Sequence, residues 1–369
     1  MNEELRRAPA SFEMRDAAGA VKEQGQGEAV IGDDGLSVGP VTVSFLDADA
    51  LRAADYRIEL DLWPSGRLAL TQLGRRFDAF AGELARVRNQ VRVSGLLAHG
   101  IAMPETFPGA LLGGGAPRPA EFQVYDTHVT VVPADADPFQ VPHGALSGVS
   151  AAEEPPAVVL EAGAQRTVAG QLARQRDAFR TAVEKRRDAQ ARLLAELTGS
   201  GGFADGVALP KSRIAGFDAL LARATAAERA EGASALVAAA KGGEPRLGFV
   251  QLLDPDGEAV RPATPLPENW AAFLLVPVGR LVALEVLAGP AAATYVFEGD
   301  LDAVGRDLQA LHLRRGPLAL TAKEAELTPA NPYRLALRRL EPLRRLRAAT
   351  RARVIHNEGW GEAVKAALA

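Results

Sequence analysis

Residues 72–80 read QLGRRFDAF, and residues 171–179, which lie 99 positions further along the chain, read QLARQRDAF. Six of the nine residues are identical, and each copy follows a series of short segments in which apolar and polar residues alternate. Such alternation is typical of strands with one buried face, whereas the residues after each copy have the apolar spacing of a helix. Because a fixed internal period outweighs local signals, we predict a repeated unit of sheet followed by helix.

The two copies define two predicted modules, residues 27–100 and residues 118–198. In the first module the helix is expected from Gln72 to about Leu97, and in the second from about Val168 to Leu197. Residues 101–119 contain four prolines and four glycines, a composition that is typical of a loop between modules.

The remaining parts of the chain have different patterns. Residues 1–26 are polar without apolar periodicity and are predicted to form a flexible lead-in. Residues 210–242 are rich in alanine and indicate a helical segment. Residues 246–330 again place strands before a helix, which indicates either a diverged third module or a separate domain. Residues 331–369 are predicted to be an arginine-rich tail of helices, one of which begins at Pro342.

A small, strongly bent antiparallel sheet that is closed by one C-terminal helix is similar to the pleckstrin-homology-like (PH-like) fold. The resemblance is carried by Asp55–Leu60, by the hairpin through Gly66, Leu68 and Leu70, and by Leu73-Gly74 with the Phe77/Phe80 helix. The chain also resembles a bacterial family of uncharacterised proteins with several such modules, through Ala293–Phe297 and Ala352–His356 with Trp360. The fold class implied is α+β, with tandem PH-like modules, a helical insert and C-terminal helices.

The resemblance implies a binding module rather than an enzyme, and it brings no cofactor. Members that bind lipid headgroups place lysine and arginine in the loop between the first two strands, where several cations converge on phosphate. Between Lys22 and Arg52 there is no lysine or arginine, and there is none between Arg118 and Arg166. We therefore expect neither module to bind a headgroup, and we expect a protein partner instead.

The net charge of −4 is unevenly distributed, because residues 334–353 hold eight arginines and only one acid, Glu341. One interpretation is that this segment attaches the protein to nucleic acid or to acidic membrane lipid. The other is that these arginines are solvated or pair with acids elsewhere in the chain. The candidate interaction residues are Arg334, Arg338, Arg339, Arg345, Arg351, Arg353 and His356.

Other motifs favour ordinary structural roles over chemistry. Residues 35–39 match the GxSxG pattern of serine hydrolases, but strand-like sequence follows where a helix is needed. Residues 254–258 resemble the start of a calcium loop, yet position 265 is proline where a glutamate is required. His143, in a predicted loop, and His356 have either a functional or a packing role. The chain has no cysteine, and no two of its five histidines have metal-ligand spacing, so neither catalytic residues nor a metal site are predicted.

The first residues lack the apolar core of a signal peptide, and the most apolar window, residues 271–297, is interrupted by charges and prolines. A cytoplasmic location is therefore expected. The favoured hypothesis is a non-enzymatic adaptor that binds a protein partner, with sheet edges as the docking surface. The alternatives are attachment to an anionic surface through the arginine-rich tail and an enzyme whose site is assembled from distant residues.

Overall fold

A computed structural model describes residues 3–64, 66–100, 102–113, 115–163, 165–199, 208–251, 266, 270–287, 293–321, 323 and 331–369. In these ranges the protein is a mixed α+β structure with three antiparallel sheets. Each sheet has its own apolar core, and helices pack against the sheets.

The first two sheets each have seven strands, and a helix follows the last strand of each. The first unit contains β1 (Arg7–Asp16), β2 (Val21–Ile31), β3 (Gly35–Val38), β4 (Val41–Ser44), β5 (Ala48–Ala54), β6 (Arg57–Leu62), β7 (Gly66–Thr71) and α1 (Phe77–Gly95). The second contains β8 (Glu105–Leu112), β9 (Arg118–Val124), β10 (His128–Pro133), β11 (Phe139–Pro142), β12 (Gly148–Glu153), β13 (Pro156–Ala162), β14 (Gln165–Gly170) and α2 (Arg176–Thr198).

The two units share one topology. Their strand orders are β4-β3-β2-β1-β7-β6-β5 and β11-β10-β9-β8-β14-β13-β12, so the first and last strands of each unit are neighbours. In the first unit, residues from both edge strands, such as Val43 and Ala48, share one core with Phe80 and Leu84 of α1. The sheet therefore bends around this core, and the helix packs against it. The predicted repeat of a sheet followed by a helix is confirmed.

The third sheet has a different strand order and lies between two layers of helices. Its strands are β15 (Ala208–Pro210), β16 (Arg246–Gln251), β17 (Trp270–Val278), β18 (Leu281–Val286), β19 (Ala293–Glu298) and β20 (Thr350–Ile355), and they pair in chain order. Its helices are α3 (Phe217–Ala224), α4 (Ala230–Ala238), α5 (Leu301–Ala310), α6 (Gly316–Ala319), α7 (Arg334–Arg339), α8 (Glu341–Ala349) and α9 (Trp360–Leu368). Helices α5 to α8 cover one face, and α3, α4, α9 and the end of α2 cover the other.

Residues 1–26 differ from the expected flexible lead-in. Residues from Arg7 onward form β1 and the start of β2, and β1 pairs with both β2 and β7. The alternation in β1 is real, since Ala8, Ala10 and Phe12 are buried. Alanine is a weak apolar signal, and the β2 residues from Val21 to Gln26 are exposed, which hid this hairpin from a search for apolar periodicity.

Several predicted boundaries also move. The helices begin later than predicted, inside the repeated phrases: α1 begins at Phe77 and α2 at Arg176, while Val168 lies in β14. Strand β8 occupies part of the proline- and glycine-rich stretch that was expected to be a loop. In the tail, a strand, β20, interrupts the predicted helices, whereas Pro342 lies in the first turn of α8 as expected.

Candidate functional site

Helix α7 carries three arginines that connect the third sheet to the first two units. Arg334 pairs with Asp47 at 2.7 Å, and Arg338 pairs with Asp49 at 2.8 Å. Arg339 lies 3.0 Å from Asp49 and 2.9 Å from Asp137, an acid of the second unit. We name these three arginines the α7 clamp. These three arginines therefore pair with acids elsewhere in the chain, which was one of the two interpretations of the arginine-rich segment.

Two buried arginines of α1 lie beside this clamp. The Arg88 guanidinium donates to the Ala48 and Asp49 carbonyl oxygens, and Arg92 donates to Ala48 and pairs with Asp137. Burial lowers the pKa of Arg88 to about 10 and that of Arg92 to about 9, with nearby arginines adding to the effect. Both pKa values stay above neutral, so the charges persist. Buried cations need partners, and these carbonyls and acids provide them.

Helix α8 also uses its arginines internally. Arg345 makes two hydrogen bonds to the Asp307 carboxylate, at 2.6 and 2.9 Å, and these raise the pKa of its guanidinium above the ordinary value. Arg347 donates to the carbonyl oxygens of Pro317 and Leu320. Of the candidate interaction residues, Arg334, Arg338, Arg339 and Arg345 thus have intramolecular partners.

Strand β20 carries the two remaining candidate arginines. Arg351 and Arg353 are exposed, and Ile355, on the same side of the strand, is 44% exposed. Among the residues that the structure describes, neither arginine has an acidic partner within ion-pair distance. The strand pairs with β19 on one side, with Arg353 opposite Tyr295 and Ile355 opposite Ala293. Its other side is an edge of the sheet.

His356, the last candidate, belongs to a buried polar cluster at the end of the third sheet. Its Nε2 atom lies 3.1 Å from Oε2 of Glu285, a fully buried carboxylate. Thr294 donates its hydroxyl hydrogen to the same oxygen at 2.6 Å, and the Trp360 indole donates to the Thr294 oxygen at 2.8 Å. The cluster gives the buried Oε2 atom of Glu285 two partners and connects α9 to the sheet through Trp360. This arrangement gives His356 a packing role.

The other four histidines lie near the connection between the first two units. His128 Nε2 donates to the Ala98 carbonyl at 3.2 Å, and Thr127 donates to His128 Nδ1 at 2.7 Å. The ring centroids of His128 and His312 are 4.6 Å apart. Burial lowers the pKa of His312 to about 3 and that of His143 to about 4, so these rings are neutral.

The connection itself is held by hydrogen bonds from the second unit and from the third-sheet region. Gln140 of the second unit donates to the Leu97 carbonyl at 3.0 Å and accepts from His312 at 2.9 Å. Arg314, from the third-sheet region, donates to the carbonyl oxygens of Leu97 and His99. We name this set of contacts the junction. Sequence spacing gave no signal for it, because its members are far apart in the chain.

A groove of about 720 Å³ lies between α1 and strands β8 and β9. Its lining combines apolar surface with polar side chains such as Asn89, Gln90 and Gln123, and Met103, another lining residue, is 92% exposed.

The turn between β1 and β2, residues 17–20, reads AAGA. The cations beside that turn are paired, Arg15 with Glu13 at 2.6 Å and Lys22 with Asp16 at 3.0 Å.

The remaining chemical motifs acquire no catalytic geometry in the described part of the chain. Ser37 lies in strand β3, where its hydroxyl is 3.1 Å from that of Thr42, so the GxSxG match is a strand. The calcium-like stretch, residues 254–258, lies outside the described residues. Across the ranges that the structure describes, no three histidine, aspartate or glutamate side chains gather as a metal site.

Comparisons with known proteins add no family. No protein-family model matches the chain, and the search of curated proteins finds no relative. Among the described helices, none is both long enough and apolar enough to span a membrane.

Proposed function

We propose that this protein is a non-enzymatic scaffold with two PH-like modules, residues 7–95 and 105–198, that binds a protein partner at an open sheet edge. The PH-like assignment is supported by the strand order, in which the first and last strands pair and one helix follows. Residues 208–369 are a separate region in this proposal, because their sheet has another order and helices on both faces.

The observation that carries the proposal is the lack of a phosphate cradle in the first hairpin loops. Residues 17–20 contain no lysine or arginine, and neither do residues 113–117 of the second module. Arg15 and Lys22, the nearest cations in the first module, are paired with acids. A phosphate needs several converging cations, so these loops favour another class of ligand. Open sheet edges present backbone groups that accept a partner strand.

Attachment to an anionic surface is the second candidate, and the exposed Arg351 and Arg353 are the observation that favours it. The intramolecular pairing of Arg334, Arg338, Arg339 and Arg345 counts against it, since these charges are already compensated. Two cations give only a weak affinity for a duplex, because each phosphate contact adds a small increment that salt removes.

Photo-crosslinking can test the protein-binding proposal. A photoreactive phenylalanine analogue is placed, one at a time, at exposed edge positions Thr42, Ala53, Ser150 and Ile355, with Ala222 on α3 as the control position. We expect one edge position to capture a discrete protein from a native lysate while Ala222 does not. Equal labelling at all positions would contradict edge docking.

The second candidate is tested in parallel with vesicles that contain phosphatidylserine and with a DNA duplex, each at ~50 mM and ~200 mM salt. We expect no binding to either surface at the lower salt concentration. Flotation with the vesicles, or a duplex shift that the higher salt abolishes, would favour the anionic surface over the protein partner.

A further inference from the structure

We propose that β20 is a docking strand for an acidic, extended segment of a partner protein, an inference that rests on the proposed function and names its site and ligand class. Strand β20 is the last strand of the third sheet and pairs through Thr350–Ile355 with β19. No other described strand pairs with β20, so its second side presents backbone donors and acceptors to which another strand can add.

The other edge strands are less suited to this role. Strands β4, β11 and β15 have only four, four and three residues. At the start of β5, Arg88 already occupies the Ala48 and Asp49 carbonyl oxygens. Strand β12 has six residues, but its exposed end carries Glu153, which pairs with Arg176 of α2. Strand β20 combines six residues with two exposed arginines that have no acidic partner among the residues the structure describes.

The two faces of β20 are chemically distinct. Val354 packs with Trp360 in the core beneath α9, so this face is anchored. On the opposite face, Arg351, Arg353 and Ile355 alternate and are exposed. This face therefore offers Arg353 and Ile355 in regular pairing with β19, and Arg351 two residues before Arg353, at a register shift opposite Val296 and Phe297.

The charge of β20 itself selects the partner. Arg351 and Arg353 are exposed, and within the described part of the chain no acid lies within ion-pair distance of either. An acidic segment that paired with β20 would meet both cations. The favoured partner is therefore anionic.

A second copy of this chain is a poor occupant of the edge. Antiparallel pairing of two β20 strands centred on Arg351, Ala352 or Arg353 places an arginine opposite an arginine. Like charges directly opposite each other are destabilising in a sheet. Nucleic acid is also disfavoured, since two cations beside an apolar Ile355 are few for a phosphate backbone.

The spacing on β20 defines the partner's pattern. In an antiparallel partner strand, the residue opposite Ile355 comes first, and those opposite Arg353 and Arg351 follow at intervals of two. The expected order is therefore apolar, any residue, acidic, any residue, acidic. Cross-strand pairs of opposite charge, and apolar pairs, stabilise this register over its alternatives.

Charge reversal with a matched peptide pair provides the first test. The probes are two fluorescein-labelled decapeptides that form strands. In the first, a valine is followed by a glutamate two positions later and by a second glutamate two positions after that. In the second, lysines replace both glutamates. Fluorescence anisotropy is measured with the full chain, with R351E/R353E and with the control R280E/R306E, which changes two exposed arginines away from β20. We expect the glutamate peptide to bind the full chain and the control equally.

In R351E/R353E we expect the glutamate peptide to lose roughly tenfold or more in affinity and the lysine peptide to gain binding, because two attractive pairs become repulsive. Circular dichroism checks that both variants fold. The proposal would be overturned if R280E/R306E lost as much affinity for the glutamate peptide as R351E/R353E does, or if the full chain did not bind this peptide. If a DNA duplex binds the full chain but does not bind R351E/R353E, the proposal is overturned in favour of nucleic acid.

Backbone methylation distinguishes strand addition from adsorption by charge. Two versions of the glutamate peptide carry N-methyl groups on alternate residues, in the two possible frames. Because alternate residues of a strand direct their N–H groups to the same neighbour, we expect only one frame to abolish binding. Equal binding of both frames would refute a docking strand. If the peptides fail while photo-crosslinking captures a partner at another edge, this inference falls and the scaffold proposal stands.

Discussion

Trp360 shows how one side chain fixes the position of a terminal helix. Its ring packs directly on Gly232 of α4, and its indole N–H donates to Thr294 of β19. A Cβ atom at Gly232 would overlap the ring, so this contact requires glycine. The cost of a flexible glycine inside a helix is thus offset by close packing of α9.

Gly232→Ala is expected to displace α9, because the methyl group and the Trp360 ring cannot occupy the same space. We predict a loss of about 2 kcal/mol or more in the free energy of unfolding and a red shift in tryptophan fluorescence. The control is Gly361→Ala, since a Cβ atom there meets no neighbour within 4 Å. Similar urea midpoints for the two variants would contradict this account.

Among the elements, the repeated phrase encodes a turn and the first residues of the helix that follows it. Gln72 and Gln171 have φ values of 61° and 55°, and Gly74 and Ala173 have φ values of 56° and 47°. The two copies therefore place left-handed residues at matching positions. Such a conformation strains a residue with a side chain, so glycine at the second position is favourable and alanine is not.

A reciprocal substitution tests this turn. We expect Ala173→Gly to raise the free energy of unfolding by about 1 kcal/mol and Gly74→Ala to lower it by a similar amount. Gly82→Ala, in α1, should instead be stabilising by about 0.5–1 kcal/mol, because that glycine is helical and its Cβ would be unobstructed. Urea unfolding of the three variants measures the changes, and equal signs for Ala173→Gly and Gly74→Ala would contradict the turn.

For the whole molecule, charged and polar contacts connect the three sheets. The α7 clamp reaches acids of both repeated units, and the junction holds the chain between those units. The Arg338 guanidinium also lies 4.9 Å from the ring centroid of Trp63 in the first unit. These contacts predict that the units unfold together instead of independently.

Removal of the clamp should weaken this cooperativity. In R338M/R339M, Asp49 loses both of its arginine partners and Asp137 loses one of two. We expect the free energy of unfolding to decrease by roughly 1–3 kcal/mol and the unfolding transition to become broader or two-step. The control R344M removes an exposed pair with Glu341 and should change the free energy of unfolding by less than about 1 kcal/mol. A single, unchanged transition in R338M/R339M would show that the clamp does not couple the sheets.

The buried histidines predict a stability that declines in acid. Burial lowers the pKa values of His99 and His143 to about 4 and that of His312 to about 3, below the unfolded value of about 6.5. The unfolded chain therefore binds more protons, and the stabilising effect is complete above about pH 6.5 and is lost as pH falls toward 4. We expect the urea midpoint of His312→Gln to decline less steeply over this pH range than that of the unsubstituted protein. An unchanged decline would contradict a contribution of His312 to the pH dependence.

Local patterns in the sequence were enough to predict the repeat of sheet followed by helix, the strand at the GxSxG match and the helix that begins beside Pro342. Each of these depends on residues close together in the chain, where periodicity and turn chemistry act locally. The first hairpin was missed because its buried face is largely alanine and the β2 residues from Val21 to Gln26 are exposed on both sides.

The roles of the arginines and histidines, in contrast, depend on contacts between distant parts of the chain. Arg334, Arg338 and Arg339 look like Arg351 and Arg353 in sequence, yet the first three meet acids more than 200 positions away, whereas the last two lie on an exposed edge strand. A charge is a structural contact or a binding surface according to what folding brings beside it. That neighbour is set by the packing of distant elements, which the local pattern of the chain does not encode.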